Sequence, residues 1–114
     1  MQATNVPASV EQELIDTIVE RIVNSVHPVR IVLFGSAAQG RMGPDSDLDI
    51  LVVMPDGVHR RQTAQKIYLS LTGVGFATDI VVAVESDVRD FADNPSLVLV
   101  PALRDGVELY RAGG

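Results

Sequence analysis

The chain has 114 residues, 46% of them apolar, and a formal net charge of −6. Without cysteine it has no thiol nucleophile, thiolate metal site or disulfide, and its negative charge argues against direct nucleic-acid binding, which depends on basic contacts to phosphate. We expect residues 1–114 to form one soluble cytoplasmic domain, because no segment approaches the roughly 18 apolar residues of a membrane span and the N-terminus lacks a signal-peptide pattern.

Hydrophobic spacing and turn residues divide the chain into alternating helices and strands. Apolar residues recur at helical spacing from Val10 to Val26, and Pro28 ends that pattern. Short apolar runs bounded by glycine, proline or polar residues predict the strands. The predicted elements are a helix over 9–26, a strand over 30–34, a short helix beginning at 37–39, a loop over 40–46, a strand over 47–53, a helix over about 58–72, a strand over 76–84, a helix from Asn94 to a stop at Gly106, and a strand over 107–110.

One element in the second half of the chain fits two interpretations. Pro95 suits the first turn of a helix and Gly106 suits its C-terminal end. The apolar run over 97–100 favours a strand, however, and Pro101 would kink a helix. Helix and strand both stay open for residues 97–101.

The order of elements predicts an α/β (α+β) fold, with a small mixed sheet of about four strands backed by helices. His27 and His59 each adjoin a helix end, where we expect capping or surface positions. The buried face of the helix over 58–72 is expected to carry Ala64, Ile67, Tyr68 and Leu71.

Three carboxylates interrupt strands that are otherwise hydrophobic. Asp47 and Asp49 lie two residues apart at the start of one predicted strand and project from the same face, and Asp79 interrupts the next strand. Like charges side by side repel, and a shared cation is the commonest reason for such a pair. If the two strands are neighbours, the three carboxylates converge into a site that suits Mg²⁺. Two metal ions about 3.5–4 Å apart would fit in-line nucleotidyl transfer.

The turn after the first strand offers a phosphate-binding element. Gly35-Ser36 leads from a strand toward a helix start, which presents unpaired N–H groups and a hydroxyl where phosphate binds. Each feature alone has a simpler interpretation. A Gly-Ser turn after a strand usually binds no phosphate, and Asp45-Ser46-Asp47 fits Asx-turn chemistry. Asp79 fits a salt bridge or a solvent-facing position equally well. Their order and strand context together favour a nucleotide site.

Gly35-Ser36, ten intervening residues and Asp47-Leu48-Asp49 resemble the signature of the DNA polymerase beta-like nucleotidyltransferase superfamily. Asp79, within Ala77-Thr78-Asp79-Ile80-Val81-Val82, resembles its third carboxylate. The chain is most similar to the minimal nucleotidyltransferases, single-domain proteins of about this length, and residues 102–110 are similar to their ending. The resemblance therefore covers nearly the whole chain and implies the nucleotidyltransferase fold.

The resemblance also implies roles for individual residues. Asp47 and Asp49 would bind Mg²⁺. Asp79 would bind the catalytic one of two such ions and help to deprotonate the acceptor hydroxyl. That hydroxyl would attack the α-phosphorus of ATP, with pyrophosphate leaving and with positioning and charge neutralisation supplying most of the catalysis.

The remaining implied nucleotide contacts come from the turn and the loop that follows it. Gly35 and Ser36 would contact the β- and γ-phosphates, and Arg41 and Ser46 would complete the set. The chain departs from many relatives here, because they carry arginines in Gly-Ser-Arg-Ala-Arg-Gly whereas this stretch is Gly-Ser-Ala-Ala-Gln-Gly. Arg41 is the first cation after the turn.

Minimal nucleotidyltransferases of this type are commonly antitoxins that attach AMP to a tyrosine of a small helical HEPN-type toxin. Others pair with helical substrate-binding subunits. The resemblance thus implies a helical partner and a hetero-oligomer. Two alternatives stay open: a non-catalytic module that neutralises its partner by occlusion, and nucleotidyl transfer to a small molecule.

Overall fold

The computed structural model describes residues 12–35, 38, 47–75, 77–90 and 99–113. Four strands form one mixed sheet in the order β3-β2-β1-β4, which confirms the predicted fold class. The elements are α1 (Gln12–Val26), β1 (Arg30–Phe34), β2 (Leu48–Met54), α2 (Arg60–Ser70), β3 (Thr78–Val84), α3 (Glu85–Arg89), α4 (Leu99–Asp105) and β4 (Val107–Arg111).

The central strands β1 and β2 are antiparallel, and β4 lies antiparallel to the other side of β1. β2 and β3 are parallel, and α2 connects them. A parallel pair needs such a crossover, whereas two antiparallel strands can be joined directly. The C-terminal end of β1 therefore meets the N-terminal ends of β2 and β3 at one end of the sheet.

The sheet is covered by apolar residues on both faces, so its central strands are hydrophobic throughout. On one face α1 and α2 pack against alternate strand residues, and the buried members include Ile15, Ile18, Ile22, Ile31, Leu33, Ile50, Val52 and Ile67. The other face carries a smaller cluster near α4, formed by Val32, Leu51, Val53, Ala83 and Ala102. Within the described ranges, no helix is long and apolar enough to cross a membrane.

Several predicted boundaries shift for identifiable reasons. The ladder between β2 and β3 begins where the amide of Leu48 donates to the carbonyl of Ala77 at 3.0 Å, so Asp47 precedes the strand. α2 begins at Arg60 because His59 is its N-cap, with Nδ1 accepting from the amide of Gln62 at 3.2 Å. The sequence did not predict α3. The predictions for residues 9–11, 36, 37, 39–46, 76 and 94–98 lie outside the described residues.

Helical structure at residues 99–105 settles part of the segment that was open between helix and strand. Pro101 lies in the first turn of α4, where its missing N–H removes no helical hydrogen bond. The amide of Gly106 donates to the carbonyl of Ala102 at 3.1 Å and ends the helix at the predicted stop. Residues 97 and 98 lie outside the described part of the chain.

The predicted buried face of α2 is wrong at one position. Ile67 and Leu71 are buried, but Tyr68 is 45% exposed. Its ring lies at the open side of β3, the edge strand, where its hydroxyl meets a main-chain amide. Helical spacing placed Tyr68 beside the core but could not indicate that the sheet ends there.

Candidate active site

The strand register brings two of the three predicted carboxylates together. Asp49 is paired with Asp79 across the parallel β2–β3 ladder, so the two residues lie on the same face of the sheet. The antiparallel register places Phe34 opposite Asp49 on the other side. Since Leu51 and Val53 share that face of β2, the carboxylates lie on the side of the sheet opposite α1 and α2.

Gly35 lies directly against the Asp49 carboxylate. Its φ of +75° falls in the left-handed region that favours glycine. A Cβ at this position would collide with Oδ2 of Asp49 and lie 3.1 Å from its Cγ. The lack of a side chain at Gly35 therefore lets the Asp49 carboxylate lie against the turn after β1.

The carboxylates interact electrostatically. Partial burial raises the pKa of Asp49, and the neighbouring charges of Asp79 and Asp47 raise it further. Asp47 and Asp79 are exposed, whereas Asp49 is half-buried. In the described ranges, no three or more histidine, aspartate or glutamate side chains form a group already arranged to hold a metal ion. The backbone therefore brings the three acids to one end of the sheet without fixing their side chains around a common point.

The chemistry of this donor set fits a hard divalent cation. Carboxylate oxygens are the ligands that Mg²⁺ prefers, and a cation would offset the repulsion that raises the pKa of Asp49. The Asp49 carboxylate occupies the position that a Cβ of Gly35 would take, so this acid lies directly beside the turn after β1. The other predicted nucleotide contacts, Ser36, Arg41 and Ser46, lie outside the described residues.

Sequence reasoning missed a structural role for Tyr68 next to this site. Its hydroxyl accepts a hydrogen bond of 3.0 Å from the amide of Ile80, the residue after Asp79. β3 is an edge strand, so half of its amides point away from β2 and need partners elsewhere. Tyr68 thereby holds β3 where Asp79 emerges. A tyrosine on the preceding helix is the only sequence signal, and it does not identify the amide.

Comparison with solved structures identifies the fold. A candidate nucleotidyltransferase from Sulfolobus solfataricus aligns with a TM-score of 0.61 at 21% identity, over 88% of this chain and 79% of that one. A toxin–antitoxin solved with AMP-PNP aligns with a TM-score of 0.56 at 24% identity, over 87% and 74%. A mutant of the toxin–antitoxin MntA-HpeT aligns with a TM-score of 0.55 at 22% identity, over 87% and 74%. The sheet and its helices therefore form the nucleotidyltransferase fold.

The sequence itself gives the family. The profile of the family described as nucleotidyltransferase domain matches residues 13–102, which include Gly35, Asp47, Asp49 and Asp79. The chain thus belongs to the nucleotidyltransferase domain family, a class of transferases. No curated protein matches the chain.

Proposed function

We propose that this chain, as a single domain over residues 1–114, transfers AMP from ATP to a hydroxyl group of a helical partner protein in a divalent-metal-dependent reaction. The observation that carries the proposal is the in-register pairing of Asp49 with Asp79 beside Gly35. This pairing brings two carboxylates and the turn after β1 to the same end of the sheet. That arrangement suits a metal-bound triphosphate.

In this proposal Asp47, Asp49 and Asp79 hold Mg²⁺, and two ions are expected. When bound, the metal neutralises charge on the triphosphate and on the leaving pyrophosphate. Gly35 lets phosphate oxygens approach the main chain next to Asp49. Ser36, Arg41 and Ser46 are assigned to the triphosphate from the sequence pattern alone.

The reaction balances without another reactant. The acceptor oxygen forms a bond to the α-phosphorus, and the bond from that phosphorus to the oxygen bridging to the β-phosphate breaks. Pyrophosphate leaves, and the hydroxyl proton passes to a carboxylate. Asp79 is proposed for that step because it is exposed at the start of an edge strand, where an acceptor has access.

The proposed partner is a HEPN-type toxin, with a tyrosine as the acceptor, so that the chain acts as an antitoxin. Two of the similar structures are toxin–antitoxin systems, and one of them contains AMP-PNP. The mutant of MntA-HpeT changes two aspartates spaced two residues apart to glutamate, which is the spacing of Asp47 and Asp49. These likenesses support the direction of the proposal.

The first test needs only the purified chain. Calorimetry should detect ATP binding that depends on Mg²⁺, and the double variant Asp47→Ala/Asp49→Ala should lose it. Glu13→Ala/Glu20→Ala is the matched control, because it removes two exposed acids from α1, on the opposite face of the sheet. Equal loss in both variants would attribute binding to net charge and contradict the proposed site.

The second test uses the protein encoded by the adjacent gene. Incubation with α-labelled ATP and Mg²⁺ should transfer label to that protein, and mutation of its modified tyrosine should abolish the transfer. Absence of labelling by wild type with Mg²⁺ or Mn²⁺ would contradict the proposal. Neutralisation of a toxic partner by the double aspartate variant would instead support occlusion, an alternative suggested by Ala37 and Gln39, which replace the usual arginines. Label appearing in a small hydroxylated metabolite would support the third interpretation.

A further inference from the structure

A cavity of about 310 Å³ lies between the end of α1, the first half of α2 and the end of β2. Met54, the last residue of β2, contributes to its wall. Met54 lies five positions after Asp49 along β2, which is about 16 Å of extended chain. The cavity is therefore at the opposite end of the sheet from the aspartates.

The polar lining of this cavity consists of neutral and basic side chains. His27, His59 and Lys66 line it, and they include both histidines of the chain. None of the lining residues is acidic. α2 adds Arg60 and Arg61 and has no acidic residue, in a chain whose net charge is −6. The cavity thus lies beside the N-terminus of a cationic helix of 11 residues.

A buried threonine lies in the cavity wall. Thr63 is 7% exposed and lines the cavity. Its amide donates to the carbonyl of His59 at 3.0 Å, but within the described part of the chain its hydroxyl makes no hydrogen bond. Buried side-chain hydroxyls are nearly always paired. The Thr63 hydroxyl is therefore available as a hydrogen-bond donor at the cavity wall.

The two histidines are fixed at the cavity by their main-chain roles. Because Nδ1 of His59 accepts from the amide of Gln62, the ring proton is on Nε2, which is a donor. His27 caps α1, with φ at +53° and its amide donating to the carbonyl of Val23 at 3.1 Å. The His59 ring is thus held by its cap with Nε2 free to donate, and the main chain of His27 is fixed at the cavity by its role at the end of α1.

We propose that this cavity binds the phosphate group of a small anionic ligand. The hydroxyl of Thr63, the ammonium of Lys66 and the imidazole of His59 supply donors of the type that phosphate accepts. The helix N-terminus adds positive potential, and no carboxylate in the lining opposes an anion. A volume of about 310 Å³ accommodates more than the phosphate itself, so the natural ligand is a phosphorylated small molecule.

The test follows the two histidines by proton NMR while inorganic phosphate, and separately pyrophosphate, is added in the presence of EDTA. The chelator removes metal-dependent binding at the aspartates, and Asp47→Ala/Asp49→Ala should leave the result unchanged. Failure of the proposed transferase site is thereby distinguishable from failure of this one. His27→Asn assigns the two resonances, because asparagine tolerates a positive φ.

We expect saturable shifts of both histidines that Lys66→Gln weakens about tenfold, consistent with loss of a charge-assisted contact. Thr63→Val, which keeps the shape of the side chain, should weaken binding about tenfold, as for loss of one hydrogen bond to a charged group. The control Arg61→Gln removes a cation from the same helix outside the cavity and should change affinity less than about twofold.

Three results would overturn the proposal. Shifts that do not saturate would indicate nonspecific screening. Equal weakening by Arg61→Gln and Lys66→Gln would assign binding to the helix surface. Acetate binding as tightly as phosphate would exclude a phosphate-selective site. If Thr63→Val does not fold, Lys66→Gln and Arg61→Gln still decide the outcome, because both positions are exposed.

Discussion

The two ends of the sheet differ in what surrounds their carboxylates. At one end acidic residues lie near other acidic residues, whereas at the other end acidic residues lie near arginines. Asp49 is paired with Asp79, and its pKa is raised by burial and by the two neighbouring acids. At the far end, Asp87 pairs with Arg60 at 2.7 Å and Asp56 lies 3.6 Å from Arg89. The pKa of Asp87 is lowered first by the hydrogen bond from Arg60, and that of Asp56 first by the amide of Ser86.

The difference separates acids that stabilise the fold from Asp49, whose charged form is disfavoured. Asp56 and Asp87 connect α3 to the segment after β2 and to α2, so their charges are compensated by the chain itself. Among the described residues, no arginine or lysine forms an ion pair with Asp47, Asp49 or Asp79. An arrangement that costs stability at one end of the sheet is consistent with a ligand-binding site there.

The largest expected effect is that of Asp49→Asn on activity, compared with Asp87→Asn at the far end. Asp49→Asn should reduce AMP transfer by about 10³-fold or more, roughly 4 kcal/mol in transition-state free energy, through loss of a metal ligand. It should also raise the melting temperature of the free chain because one repelling charge is removed. Labelled-ATP assays and thermal unfolding measure both effects.

Asp87→Asn should behave in the opposite way. It breaks an exposed ion pair and weakens the cap on the amide of Val84, so the free energy of unfolding should fall by about 1 kcal/mol. AMP transfer should stay within about twofold of wild type. A stability loss in Asp49→Asn as large as that in Asp87→Asn would contradict the contrast between the two ends.

Two glycines with positive φ allow the next comparison. Gly35→Ala adds both left-handed strain and a collision with Asp49, and should cost about 3 kcal/mol in the free energy of unfolding. Gly57→Ala adds only the strain, since nothing lies within 4 Å of its Cβ position, and should cost about 1 kcal/mol. Urea denaturation distinguishes them, and equal losses would show that Asp49 moves aside without cost.

Tyr68→Phe tests whether the edge amide of Ile80 positions Asp79. Removal of the hydroxyl should lower kcat for AMP transfer by about threefold to tenfold, the effect of roughly one hydrogen bond, with a smaller change in KM for ATP. Tyr110→Phe on β4 is the matched control and should leave kcat unchanged. Equal effects of the two variants on kcat would rule out a specific role for Tyr68.

The smallest expected effects concern pH. Glu108, hydrogen-bonded by Arg111 and Arg30, has a lowered pKa, so its stabilisation is present above about pH 4.3 and is lost as pH falls through the folded-state pKa. The pKa of Asp49 is raised, so its contribution is fully present below about pH 3.9 and is lost as pH rises through the folded-state pKa.

Relative to wild type, Asp49→Asn should therefore gain stability and Glu108→Gln should lose stability as pH rises from about 3.5 to 7. For Glu108→Gln the loss at neutral pH should be at most about 1 kcal/mol, because the ion pairs of Glu108 are partly exposed. Melting temperatures across this range provide the measurement. Differences of the same sign for both variants would contradict the assigned causes of the two shifts.

The spacing of apolar residues and the positions of turn residues were sufficient to predict most of the fold. β1 spans Arg30–Phe34 as predicted, because an apolar run bounded by a proline segment and a glycine defines both ends. The acids were predicted to meet only if their two strands were neighbours, and the parallel register makes Asp49 and Asp79 partners. That condition could be stated from the sequence, but strand order depends on tertiary packing that no local pattern contains.

Contacts between distant residues account for what could not be predicted. Arg60 and Asp87 are 27 positions apart, and Arg30 and Glu108 are 78 apart, so neither pair has a sequence signature. The exposure of Tyr68 depends on β3 being the edge strand. The contact between Gly35 and Asp49 depends on the register of β1 with β2.

The turn at Asp56–Gly57 divides the proposed metal ligands between two chain segments. Asp47 and Asp49 precede it and Asp79 follows it, while the turn itself lies at the far end of β2 with open space around Gly57. A chain cut at Gly57 would yield two fragments, neither of which carries all three ligands. Recovery of the proposed AMP transfer on mixing the two fragments would then report reassembly of the sheet.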